Sequence, residues 1–241
     1  MQGVIVGGTD VGEAHRICRL LTPEEGNVSL MVRQARASKK RFAGLLDPGT
    51  QLVVRTKKGR GGLPLLVDAD LVTAPNLSRQ HLERLALLAY GCEVCSRLAP
   101  EGYGTPKLFK LLVVWLEILE GEKPPTQACR LALEAKALTF AGLTPRLHHC
   151  ALCDQTIEDS NVFDAEAGGA LHSHCGSGRL VSGAALMSLE RLRRTPLAQT
   201  VEPQLVAELD IRDVRWLLAD FVQHQICGPL KSRDLVADVG M

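Results

Sequence analysis

Two thiols three positions apart, Cys150 and Cys153 in "HHCALCDQ", are followed by "HSHC", which supplies His172, His174 and Cys175. Thiolates and imidazoles at such spacing either bind a soft metal ion or cycle between dithiol and disulfide. The whole pattern is C-x2-C, then x18, then H-x2-C. Each x2 pair can form a tight knuckle, and the segment between can fold back as a small ribbon. Cys150, Cys153, His172 and Cys175 are therefore expected to close a tetrahedral site for structural zinc. His174 competes with His172 for the third position, and the symmetry of two x2 knuckles favours His172. A thiol cluster without metal is the alternative. A redox pair explains less, because it leaves the second half-site without a role. Gly168 and Gly169 in "AEAGGALH" stand where a tight turn is wanted before the second knuckle. His148 and His149 read as surface residues.

Four protein ligands leave no open position for a water, so no zinc enzyme is expected. Patterns for a phosphate-binding loop, a zinc protease helix or a nucleophile elbow are missing from the sequence. His81, Glu83, Cys92 and Cys95 do spell H-x-E followed by C-x-x-C, the ligand order of nucleobase deaminases. Here the set falls on one expected helix, where His81 and Cys92 stand about 16 Å apart and cannot share an ion. Cys92 and Cys95 are therefore expected in the core.

The second feature is charge. Net charge is +1, yet residues 1–80 carry 12 Lys/Arg against 7 Asp/Glu. Arg33, Arg36, Lys39, Lys40, Arg41, Arg55, Lys57, Lys58 and Arg60 crowd into positions 33–60 against Asp47 alone. A solvated surface is the bland reading, and a polyanion such as nucleic acid is the one this density favours. Phe42 is the one aromatic residue in the first 80, so base stacking can supply little. Binding should be electrostatic, indifferent to sequence and sensitive to salt.

The elements that must hold these residues change character near position 78. Before it, "GVIVGG", "HRICRLL", "NVSLMVR", "QLVVRT" and "PLLVDADLV" read as short strands parted by "DPGT" and "KGRGG". Such spacing suits a small antiparallel barrel, with an OB-fold and an SH3-like barrel both open. "GGTDVG" reads as a turn between strands. After it, "SRQHLERLALLAYGCEVCSRLA" is expected as a helix capped by Ser78, with Leu85, Leu88, Cys92 and Cys95 on its apolar face. "TPKLFKLLVVWLEILEGE" begins at Thr105 and Pro106, and "TQACRLALEAKALTFAGL" ends at Gly142. "SGAALMSLERLRR" and "PQLVAELDIRDVRWLLADFVQHQI" resume the helices after the cysteines. The fold class is α+β, with a barrel over 1–77, a helical domain over 78–145 and 180–241, and a zinc module over 146–179.

Hydrophobic residues make up 46% of the 241 positions, enough for a globular core. The longest strongly apolar run is "LLVVWL", and no leader pattern opens the sequence, so a soluble cytoplasmic protein with no membrane partner is expected. Eight cysteines in that setting are thiols or metal ligands before they are disulfides.

"GE" before a strand, "LLTPEEG", "KKRFAGLLDPG" and "GRGGL", together with "CALC" and "FDAEAGGALHSHC", resemble the RecO family of bacterial recombination mediators over nearly the whole chain. At the third ligand position this chain has His172, where the family often has cysteine. The resemblance implies an OB-fold, a helical domain and a zinc domain. It also implies a nucleoid-associated protein that binds single- and double-stranded DNA and anneals complementary strands. With RecR, such a protein helps RecA replace single-strand binding protein. The competing expectation, from a different class, is a protein-interaction adaptor that touches DNA only incidentally.

Overall fold

The computed structural model describes residues 1–35, 42, 44–59, 62–157, 161–226 and 228–240. They form two compact units, Met1–Glu122 with Lys231–Gly240, and Lys123–Leu230.

In the first unit, β1 (Gln2–Val11), β2 (His15–Thr22), β3 (Gly26–Val32), β4 (Gln51–Lys57) and β5 (Leu65–Thr73) close into a barrel of order β1-β2-β3-β5-β4. Alternation builds its interior: Cys18 and Leu20 on β2, Val28, Leu30 and Val32 on β3, and Leu52 and Val54 on β4 all point inward. Antiparallel hairpins account for β1–β2, β2–β3 and β4–β5. Closure needs two further contacts, the antiparallel β1–β4 pairing and a short parallel pairing of Met31 with Leu65. This OB-like closure resolves the choice that strand spacing left open. The "GGTDVG" turn is displaced from its expected place: Gly7 and Gly8 lie inside β1 beside a register shift, and Gly12, at φ +59°, makes the turn.

Helices α1 (Leu82–Leu98), α2 (Pro106–Leu119) and α7 (Arg233–Asp238) complete this unit. Ser78 does not cap α1, whose N-cap is His81 with no side-chain bond. Instead the Ser78 hydroxyl and the backbone N–H groups of Asn76, Leu77 and Ser78 donate to the Glu120 carboxylate at the end of α2. Leu85 is also displaced from the core, at 42% exposed, while Leu88, Cys92 and Cys95 are buried as expected. Gly91 explains how closely α1 approaches α2: Trp115 lies against its bare Cα and donates from Nε1 to Leu87 O at 3.1 Å.

In the second unit, α3 (Gln127–Phe140) begins at Thr126, whose side chain accepts from Cys129 N. It ends at Gly142, where φ of +79° and bonds from Gly142 N to Thr139 O and Leu143 N to Leu138 O make a Schellman closure. Helix α4 (Gly183–Arg194) is capped by Ser182. The expected long helix after Pro203 is two, α5 (Pro203–Ala207) and α6 (Ile211–Gln225), because Asp210 caps a new start by accepting from Asp213 N. Between α3 and α4 lies a three-stranded sheet of β6 (Asn161–Asp164), β7 (Gly169–His172) and β8 (Arg179–Val181), in the order β7-β6-β8. Phe163 of β6 meets Phe221 of α6 edge-on, with ring centroids 5.8 Å apart, which anchors the ribbon to the helices. Among the described residues no helix is long and apolar enough to cross a membrane.

Candidate metal centre and nucleic-acid interface

The ribbon brings the two sulfur-rich segments together largely by backbone pairing. Cys150 N donates to Gln155 O and Asp154 N to Cys150 O, closing the first knuckle, with Asp154 at φ +62°. Ala151 N donates to Ala170 O, which lays that knuckle along β7. Arg146 completes the seam, because its N–H donates to Gly168 O and its carbonyl accepts from Ala170 N. A Cβ on Gly169 would lie 2.3 Å from Arg146 O, so glycine is needed there for close approach as well as for the turn. In the second knuckle, Cys175 N donates to His172 O.

Cys150, Cys153, His172 and Cys175 then present ligand atoms within 4.8 Å of one another, and this cluster could hold a metal ion. His172 Nδ1 stands 3.4 Å from Cys153 Sγ and 3.8 Å from Cys175 Sγ, while its Nε2 faces Thr156 O at 3.0 Å. A carbonyl on the far nitrogen fixes the ring and tautomer, the usual support of a ligating histidine. His174 stacks on the His172 ring at 5.1 Å and is absent from the cluster. Tetrahedral zinc with sulfur at about 2.3 Å requires ligand separations of about 3.8 Å, so the donors fit with a small contraction.

Charge also fits a cation. Burial raises the Cys150 thiol, but backbone N–H groups of Cys153, His172 and Leu152 outweigh it and bring the group down to about 6. Cys175 is pushed the other way, to about 11, by burial and then by its neighbours Cys153 and Cys150. The Thr156 carbonyl, followed by Cys153, raises His172. Three thiols this close cannot all ionise unless a positive ion shares their charge.

The basic set divides. Arg36, Lys39, Lys40, Arg41 and Arg60 lie outside the described residues. Arg33, Arg55, Lys57 and Lys58 are described and exposed. Register brings three of these four to one end of the barrel: Met31, two residues before Arg33, and Lys57 both pair with Leu65. Arg55 sits further along β4 and is bonded to Asp68 across the β4–β5 pair. Counting charges over 33–60 missed this acid, because a cross-strand partner is remote in sequence. Phe42 is 4% exposed inside the barrel core, so it offers no stacking platform.

Residues 1–75 match the family described as Recombination protein O N terminal, and residues 79–234 match Recombination protein O C terminal. The chain is 36% identical over 247 aligned positions to a DNA repair protein RecO from Anaeromyxobacter dehalogenans (strain 2CP-C), covering 100% of this chain and 96% of that one. It is 35% identical to a DNA repair protein RecO from Myxococcus xanthus (strain DK1622), over 99% of this chain and 96% of the relative. A DNA repair protein RecO from Syntrophotalea carbinolica is 32% identical over 98% of this chain and 93% of its own length. With both terminal families matched in order, the first along the OB-like barrel and the second along the helices and ribbon that follow it, the chain belongs to the RecO family of DNA repair proteins.

Proposed function

We propose that the chain is a DNA repair and recombination mediator that binds single- and double-stranded DNA through the barrel and anneals complementary strands. With RecR it would assist RecA in replacing single-strand binding protein. A role in DNA repair comes with the family. The observation that carries the finer reading is the convergence of Arg33, Lys57 and Lys58 at one barrel end; the sequence between and just after them also contains Arg36, Lys39, Lys40, Arg41 and Arg60. Cations held there neutralise phosphates on two strands at once and release their counterions, which lowers the repulsion opposing pairing. No covalent step or nucleotide is needed.

In this reading residues 1–77 bind DNA, 78–145 with 180–241 form the helical body, and 146–179 form a structural zinc module. Zinc on Cys150, Cys153, His172 and Cys175 supplies a cross-link between the knuckle and the β6–β7 hairpin. The test is strand pairing. Labelled complementary single strands are mixed with protein across a salt series, beside a Lys39→Glu/Lys40→Glu/Arg41→Glu variant. The proposal expects acceleration that fades with salt and is lost in the variant. No acceleration by folded, metal-loaded protein favours the adaptor.

A further inference from the structure

A groove of about 390 Å³ opens in the first unit between β2, α1 and the start of α7, and it is lined by Arg19, Glu93, Arg97 and Lys231. Arg19, Arg97 and Lys231 are exposed. Glu93 is the one acid in the lining, and both its oxygens accept, from Lys231 N at 3.0 Å, Ser232 N at 2.8 Å and Ser232 Oγ at 2.6 Å, while the Arg97 charge also acts on it. That carboxylate fixes the backbone of Lys231 against α1 and leaves three cations to one anion around the opening. We infer that this groove is a second phosphate-binding site, which takes the backbone of a single DNA strand running on from the barrel end. The inference rests on the proposed DNA binding and extends it to residues outside the basic run.

Register supports the continuity. Gln34 N, next to Arg33, donates to His15 Nδ1 at the start of β2. Arg19 lies four residues along that strand, about 13 Å away at the usual rise. Alternation puts Arg19 on the outer face, since Cys18 and Leu20 are buried inside. A strand held at Arg33 can follow the outside of β2 to Arg19 and then meet Lys231 and Arg97. The volume is near the lower limit for small-ligand pockets, so it suits one nucleotide unit of a single strand.

The test compares oligonucleotides of about 6 and about 20 nucleotides, lengths spanning the site sizes of such barrels. Arg19→Ala/Lys231→Ala should leave the affinity for the short strand unchanged. For the long strand it should flatten the salt slope by about 1.4, from two lost phosphate contacts. Between 50 and 200 mM salt that is about a 7-fold difference in retained affinity. Arg19→Lys/Lys231→Arg keeps the charge and should behave as wild type, which controls for misfolding. Wild-type binding of both lengths with an unchanged slope in the alanine variant overturns the groove alone. No binding of either length by wild type overturns the groove and the proposed DNA binding together. An acidic peptide that binds wild type but not the alanine variant, with DNA slopes unchanged, assigns the groove to a protein partner instead.

Discussion

Gly91 on α1 should be a position where adding one methyl group destabilises the fold, and the harm should depend on one partner side chain. A Cβ there would lie 2.2 Å from Trp115 Nε1 and 2.4 Å from its Cδ1. Trp115 is fully buried, so the indole has nowhere to retreat. In an exposed helix, alanine for glycine would gain about 1 kcal/mol. Against this stand overpacking, about 1–3 kcal/mol, and loss of the Trp115–Leu87 hydrogen bond, about 1–3 kcal/mol for a stranded buried donor. Gly91→Ala should therefore destabilise by about 3 kcal/mol, within limits of about 1–5. The assay is a double-mutant cycle by urea denaturation, read by circular dichroism. Trp115→Ala alone should cost about 3–5 kcal/mol. In that background the clash is gone, so Gly91→Ala should change sign and stabilise by about 0.5–1 kcal/mol. An equal loss from Gly91→Ala in both backgrounds would rule out the Trp115 contact as the source of the cost.

Three other perturbations follow from the same geometry. Burial raises the Glu120 carboxyl, but the Ser78 hydroxyl and the N–H groups of Asn76, Ser78 and Leu77 outweigh it and hold the group below 4.5. Its contribution is thus complete above the ordinary carboxylate range and is lost as pH falls through the lower folded value. Glu120→Gln should cost about 1 kcal/mol at pH 7, a modest loss at a site half open to solvent, and the gap from wild type should vanish in acid melts. Asp68→Asn should release Arg55 toward DNA, tightening single-strand binding at low salt and steepening its salt slope by about 0.7. Loading zinc and then removing it with a chelator should alter Trp216 emission in a Trp115→Phe background, because Arg179 of the ribbon stacks on Trp216 at 4.0 Å. His172→Ala should reproduce that change without chelator, and cobalt loading should give four-coordinate spectra only in the His172 protein.

What could be read from the sequence was what short range decides. The five strands follow from alternation and turn residues, and the cluster of Cys150, Cys153, His172 and Cys175 follows from two x2 knuckles that pack on local backbone bonds. The Gly142 helix end is written in three neighbouring residues. What stayed hidden depends on partners remote in the chain. Ser78 looked like a cap until Glu120, 42 positions away, took its hydroxyl. The parallel Met31–Leu65 contact that closes the barrel leaves no periodic trace. Arg55 counted as a free cation because Asp68 faces it only across a hairpin. The break before α6 was legible in principle, since "LDIRD" puts Asp210 three positions before Asp213, but the continuous apolar period around it dominated. The short α7 is held by Glu93 of α1, a bond that no local pattern announces.

A cationic barrel end that binds the DNA backbone should do so without reading bases. Equilibrium binding of labelled single strands of several unrelated sequences over a salt series, with wild type and Arg33→Glu/Lys57→Glu/Lys58→Glu, decides the point. Equal affinity for every sequence and a linear fall of log affinity with log salt are expected. In the variant the slope should be shallower by about 2, from three lost contacts. Identical affinities and slopes in wild type and variant, or strong preference for one sequence, would contradict it.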